Sequence, residues 1–88
     1  MMTKQTTDYN GWKNRTTWNI MLWLDNDEPA YRAYRSMVSD YLKTHSKLSG
    51  VAAKRIALSV LGSETPDGCK LTARCVDWAA IAEAMSER

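Results

Sequence analysis

The sequence predicts an all-α fold, a compact four-helix single domain that spans residues 1–88. Three observations predict it. Apolar residues recur at helical spacing in four segments, a capping residue precedes each segment, and the connections between segments are short. The length fits one domain, and 44% hydrophobic with 25% charged residues is an ordinary globular composition. An α+β fold with a short strand near residues 69–75 is the alternative, because that segment has no clear period.

Helix 1 is predicted to follow a loose polar tail at residues 1–8 and the turn pair Asn10-Gly11. Asn14 is a suitable N-cap, because its side-chain oxygen can accept a hydrogen bond from the open first turn. The segment 18–24 contains a single polar residue, which indicates a helix that is buried on most sides. Trp12 is expected to fold back over this helix, with partial exposure as the alternative. The residues that we expect in the core are Trp18, Met21, Leu22 and part of Trp23.

Helix 2 is predicted to start directly after helix 1. Asp27 or Asn26 is the expected cap, and Pro29 is compatible with a first helical turn. Residues with i, i+3, i+4 spacing form the predicted apolar face, namely Tyr31, Tyr34, Val38, Tyr41 and Leu42. The opposite face carries Arg32, Arg35, Ser36, Ser39, Asp40 and Lys43.

Helices 3 and 4 also carry start signals. Ser49 is the predicted cap of helix 3, and Gly62 occupies the position of a C-terminal glycine. The segment Thr65-Pro66-Asp67-Gly68 fits a type I turn. Asp77 is the predicted cap of helix 4. The expected apolar residues are Ala53, Ile56, Ala57, Val60 and Leu61 in helix 3, and Trp78, Ile81, Ala82 and Met85 in helix 4.

Charge and hydropathy narrow the class of protein. A net charge of +2 is neither the strong basic excess of a typical nucleic-acid binder nor the acidic excess of a DNA mimic. No apolar run approaches the roughly 18 residues of a membrane span, so we predict no membrane segment. The first ten residues lack the apolar centre of a secretion signal. These features predict a cytoplasmic protein.

Residues with reactive side chains are few. Cys69, Cys75 and the single His45 are too few for a four-ligand zinc site. In a reducing cytoplasm we expect both cysteines to be free thiols, with a Cys69–Cys75 disulfide as the alternative. No nucleophile has a base at an interpretable spacing. We therefore predict that the protein is not an enzyme and uses no cofactor.

The candidate partner-binding residues are Trp12, Arg32, Arg35 and Lys43. Tryptophan and arginine are the residue types that most often anchor protein interfaces. The three cations lie on one predicted face of helix 2. In the alternative interpretation, this face continues through Lys47, Lys54 and Arg55 as a stripe that follows nucleic-acid phosphates, although Asp40 dilutes it.

The segment YNGWKNRTTWNIMLWLDND, residues 9–27, holds three of the four tryptophans. It resembles the signature Asn-Gly-Trp-x-Asn-x-x-Thr-Trp-x-x-x-Leu-Trp-Leu-x-Asn-Asp of a family of small proteins, encoded mostly by bacteriophages, plasmids and other mobile elements. The segment VDWAAIAEAM, residues 76–85, is similar to the C-terminal element of that family. The matching residues of the first segment are Asn10, Gly11, Trp12, Asn14, Thr17, Trp18, Leu22, Trp23, Leu24, Asn26 and Asp27.

The resemblance implies a small accessory protein in the cytoplasm of a host bacterium, and it brings no established reaction or cofactor. By analogy with other small mobile-element proteins, we expect an inhibitor that binds a bacterial defence effector complex, most specifically CRISPR–Cas, as an anti-CRISPR protein does. A small nucleic-acid-binding regulator that uses the basic face of helix 2 is one alternative, and an accessory protein with no partner beyond self-association is another. The target and the oligomeric state are left open.

Overall fold

Four helices make up most of the fold in a computed structural model that describes residues 11–87. They are α1 (Arg15–Asn26), α2 (Glu28–Leu42), α3 (Gly50–Leu61) and α4 (Trp78–Glu87). Within residues 11–87, the only β-type pairing is an isolated antiparallel bridge between Glu64 and Lys70. The all-α prediction is therefore confirmed, and the strand considered at residues 69–75 does not form. The predicted tail at residues 1–8 and Asn10 lie outside the described residues.

Each helix begins after the capping residue that the sequence predicted. A side-chain oxygen at the cap accepts a hydrogen bond from a backbone N–H in the first turn, which would otherwise lack a partner. The four bonds join Asn14 to the N–H of Thr17 at 2.9 Å, Asp27 to Ala30 at 3.2 Å, Ser49 to Ala52 at 3.1 Å, and Asp77 to Ala80 at 3.1 Å. Asp27 rather than Asn26 caps α2, while Asn26 donates to the carbonyl of Leu22 at 2.9 Å.

The core is formed by one stripe of each helix together with Leu71 from the connection between α3 and α4. In α1 the stripe consists of Ile20, Met21 and Leu24. Tyr34 in α2 is fully buried, and its hydroxyl donates to Asp25 at 2.7 Å, so its polar end keeps a partner. The other fully buried large residues are Val38, Ile81 and Met85.

The core prediction for α1 was correct for Met21 and wrong for Trp18 and Leu22. Both are only partly buried, and they lie outside the buried cluster. The reason is geometric, because α1 packs along the stripe that contains Ile20 and Leu24. Trp18 and Leu22 are each two residues from Ile20, so they lie about 160° from it, on the far side of the helix. Trp23 is also partly buried, as expected. Trp12 packs against the core from the segment before α1.

Truncation of a core residue in α1 should destabilise the protein strongly. Leu24 is 0% exposed, so Leu24→Ala leaves a cavity, and we expect it to lower the free energy of unfolding by about 2–5 kcal/mol. Val51, which is 68% exposed, provides the control. Val51→Ala should change the free energy of unfolding by no more than about 0.5 kcal/mol. Urea unfolding followed by circular dichroism measures both values, and equal midpoints for the two variants would contradict this core.

Candidate protein-binding surface

Residues 62–77 connect α3 to α4 and lie against α1. Gly62 ends α3 with a φ of +82°, and its N–H donates to Leu58. The predicted turn at Thr65–Gly68 is confirmed, since the N–H of Gly68 donates to the carbonyl of Thr65 at 2.9 Å. Gly68 has a φ of +89°, a conformation that strains any residue with a Cβ atom. This connection is therefore a turn-based segment rather than a strand.

The N-cap residue and the first turn of α1 form hydrogen bonds with the end of this connection. The side-chain amide of Asn14 donates to the carbonyl of Cys75 at 2.6 Å. The hydroxyl of Thr17, which is fully buried, accepts from the N–H of Asp77 at 3.0 Å. Asp77 is the cap of α4, so these two bonds fix the place where the last helix begins.

The middle of α1 holds the turn through Asn19, the one polar residue of its apolar segment. The side-chain carbonyl of Asn19 accepts from the hydroxyl of Thr65 at 2.6 Å, and its amide donates to Asp67 at 2.8 Å. The indole N–H of Trp23 donates to the same carboxylate oxygen of Asp67 at 3.0 Å. We call the contacts of Asn14, Thr17, Asn19 and Trp23 with residues 65–77 the α1 seam.

The electrostatics of the α1 seam centre on Asp67. The hydrogen bonds from Asn19 and then from Trp23 lower the pKa of Asp67 below its ordinary value of 3.8, and the positive charge of Arg15 acts in the same direction. Arg15 also directs a guanidinium nitrogen to the sulfur of Cys69 at 3.3 Å. Cys69 is buried and Cys75 is exposed, and both are free thiols.

An open cleft lies between Trp12 and one side of α1. It has a volume of about 130 Å³, and we call it the Trp12 cleft. Its walls include the partly buried Trp12, Trp18 and Leu22. Its full lining consists of Trp12, Trp18, Met21, Leu22, Asp25 and Asn26. Because Asn26 donates to the carbonyl of Leu22 and Asp25 accepts from Tyr34, the polar edge of the cleft is held in place.

None of the three predicted α2 cations lines the Trp12 cleft. Arg32 pairs with Glu28 at 2.6 Å, and Lys43 pairs with Asp40 at 3.5 Å. Arg35 donates to the carbonyl of Met85 at 2.9 Å. Arg35 therefore provides a donor to the last turn of α4. Carbonyl groups there lack helical partners, and the negative end of the helix dipole favours a cation. The two residues are 50 positions apart, so no local sequence pattern could indicate that Arg35 bonds to Met85.

The side chains most often used as metal ligands are dispersed in residues 11–87. No group of three His, Cys, Asp or Glu side chains is placed there so that it could hold a metal ion. His45 is exposed and stacks on Tyr41, with the ring centres 3.9 Å apart. In the same residues, no helix is both long enough and apolar enough to cross a membrane.

The fold and these surfaces define a small four-helix protein. An aromatic cleft flanks α1, and hydrogen bonds hold the connection between α3 and α4 against α1. The chain belongs to the family of unknown function DUF7249, whose family model matches residues 5–88. Comparison with curated proteins and with solved structures finds no match.

The α1 seam should make stability depend on pH through Asp67. Its pKa is lower in the folded protein than in the unfolded chain, so ionised Asp67 stabilises the folded state above about pH 4. This contribution is lost as the pH falls through the folded-state pKa. In the Asp67→Asn variant this titration is absent. We expect the stability difference between the wild type and Asp67→Asn, measured by urea unfolding, to be larger at about pH 6 than at about pH 3. An equal difference at both pH values would contradict the role assigned to the carboxylate.

The two arginines of α2 should differ in their effect on stability. Arg35→Ala removes a charged donor from a partly buried carbonyl, and we expect the free energy of unfolding to fall by about 1–2 kcal/mol. Arg32 is the matched control, because its side chain is 75% exposed and its pair with Glu28 lies in solvent. Arg32→Ala should lower the free energy by less than about 0.5 kcal/mol. Thermal unfolding of both variants measures the contrast, and equal losses would rule out the assignment of Arg35 to α4.

Proposed function

We propose that the protein acts by binding another protein, and that the Trp12 cleft is part of the surface that it uses. One observation carries the proposal: Trp12 and Trp18, both partly exposed, border the same open cleft. Protein interfaces concentrate their binding energy in a few tryptophan, tyrosine and arginine side chains that lose their remaining contact with water in the complex. A partner side chain in this cleft would cover both rings.

The rim of the cleft suits recognition of a polar partner group. Asp25 and Asn26 provide acceptor and donor atoms beside the aromatic walls, an arrangement that resembles the apolar centre and polar rim of known interfaces. Arg32 is exposed on α2 but does not line the cleft, so we keep it only as a candidate contact outside the cleft. Arg35 is left out, because its guanidinium already serves the carbonyl of Met85.

The proposed target is an effector of a bacterial defence system, most specifically a CRISPR–Cas complex, which the protein would block by steric occupation in the cytoplasm of the host. Support for this target comes from the resemblance of residues 9–27 to proteins of mobile elements, which often carry inhibitors of host defence. The modest net charge of +2 also favours a protein partner over competition for nucleic acid by charge alone.

The alternative, a nucleic-acid-binding regulator that uses the α2 face, is less well supported. Arg32 and Lys43 each have a carboxylate partner on the same helix, which reduces the charge that α2 itself offers to phosphates. Further along the stripe, Lys47, Lys54 and Arg55 form no ion pair within residues 11–87. If duplex DNA were the ligand, the affinity would fall with salt at a logarithmic slope near −0.9 for each neutralised phosphate. A gel-shift titration at two salt concentrations distinguishes this alternative.

A phage-plating assay tests the defence proposal with a matched pair of tryptophan variants. Trp12 and Trp78 are both partly buried and both pack against the core, but only Trp12 lines the cleft. We expect both alanine variants to lose similar stability, since both remove a large aromatic contact. In a host with an active CRISPR–Cas system, the wild type and Trp78→Ala should restore phage plating, whereas Trp12→Ala should not.

The controls distinguish failure of the proposed interface from failure of the proposed target. Thermal unfolding must show that both variants are folded at the plating temperature. Equal loss of activity in Trp12→Ala and Trp78→Ala would attribute the effect to stability and reject the cleft as an interface. Absence of any wild-type effect across the defence systems of the host would reject the inhibitor hypothesis.

A further inference from the structure

The end of α2, the following loop and the first half of α3 carry an excess of positive charge. Residues 41–63 contain Lys43, Lys47, Lys54 and Arg55 and no acidic residue. The rest of the chain therefore holds eight basic residues and all ten acidic ones. The net charge of +2 is therefore unevenly distributed: residues 41–63 are strongly basic and the rest of the chain is slightly acidic. We call the surface formed by residues 41–56 the α2–α3 corner.

Most of this positive charge is not neutralised within the fold. Lys43 pairs with Asp40 at 3.5 Å, and both side chains are mainly in solvent. Lys47, Lys54 and Arg55 form no ion pair with any residue in the range 11–87. This distinguishes these three cations from Arg32 and Lys43, which have carboxylate partners. A partner that approaches the corner would therefore meet cations whose charge is available.

An open groove of about 280 Å³ runs between α2 and α3 at this corner. Its apolar surface includes Val51, the most exposed of the large hydrophobic residues described. Arg55 is exposed at its side, and the partly buried Tyr41 forms part of the opposite wall. Tyr41 stacks against His45 with an angle of 7° between the rings, which limits the motion of that wall. The groove thus combines apolar walls with one cation in its lining, Arg55, which forms no ion pair within residues 11–87.

We infer that the α2–α3 corner is a docking surface for an acidic polypeptide segment, which places an apolar side chain in the groove between Tyr41 and Val51 and carboxylates near Lys47, Lys54 and Arg55. The groove favours a polypeptide over nucleic acid, because a phosphate backbone would leave the exposed valine without an apolar contact. An amphipathic helix with acidic flanks meets both requirements. This surface is distinct from the Trp12 cleft, so the inference does not depend on the proposed function.

An NMR titration of the full-length, nitrogen-15-labelled protein tests the inference. The probe is a short synthetic helical peptide with leucine on one face and glutamate at its other positions. A second peptide replaces each glutamate by glutamine, and oligothymidylate serves as the nucleic-acid probe. We expect the glutamate peptide to shift the amide signals of Tyr41, Val51 and Arg55. The glutamine peptide and oligothymidylate should bind at least about tenfold more weakly.

Three variants locate the site. Arg55→Glu should weaken binding of the glutamate peptide about tenfold or more, since it replaces attraction by repulsion. Val51→Ser should also weaken binding, because it removes the apolar contact and leaves the charges unchanged. Arg74→Glu is the matched control: Arg74 is exposed and forms no ion pair within residues 11–87, but it lies outside the corner. It should leave the affinity nearly unchanged.

The results that would overturn the inference are equally specific. Equal binding of the glutamate and glutamine peptides would remove the role of charge, and equal effects of Arg55→Glu and Arg74→Glu would indicate non-specific attraction. Tighter binding of oligothymidylate at the same signals would make nucleic acid the ligand. No shift at these signals would reject the surface altogether. The same titration with Trp12→Ala should be unchanged, which separates this surface from the Trp12 cleft.

Discussion

The hydrogen bond between Asn19 and Thr65 joins α1 to a residue 46 positions further along the chain, and it anchors the connection that leads to α4. Asn19 is 1% exposed, so displacement of the connection would leave a buried amide without partners, at a cost of about 1–3 kcal/mol. The bond from Asp77 to Thr17 then holds the start of α4 against α1. A connection without regular structure thereby positions a helix, because buried polar groups accept few alternative arrangements.

The concentration of tryptophan around α1 serves more than one purpose. Trp12 packs on the core, Trp23 donates its indole N–H to Asp67, and Trp18 borders the Trp12 cleft. All three are partly buried, as suits a ring with a large apolar area and one polar atom. The core of α1 is instead aliphatic, with Ile20 and Leu24 at its centre. The tryptophans thus extend the apolar contacts of a small domain outward to its surface.

Local rules were sufficient for the parts of the fold that depend on neighbouring residues. The caps at Asn14 and Ser49 and the turn at Thr65–Gly68 are each determined by groups within a few positions. Distant contacts were not predictable in this way, since no local pattern indicates that Arg35 bonds to Met85. Helical periodicity also failed to separate the buried stripe of α1 from its flank, because an almost continuous apolar segment suits either side. Of the candidate site, the sequence indicated Trp12 but not the cleft around it.

The distribution of charge explains why one basic stripe in the sequence becomes two different surfaces in the fold. Along α2, Glu28 and Asp40 lie four and three residues from their cations, so helical spacing itself brings opposite charges together. In α3, Lys54 and Arg55 have no acidic residue within one helical turn on either side. Exposed pairs such as those of α2 contribute little to stability, but they reduce the charge available to a partner. The capacity to attract an acidic partner is consequently concentrated at the α2–α3 corner, beside an exposed apolar residue that gives such a partner a second point of contact.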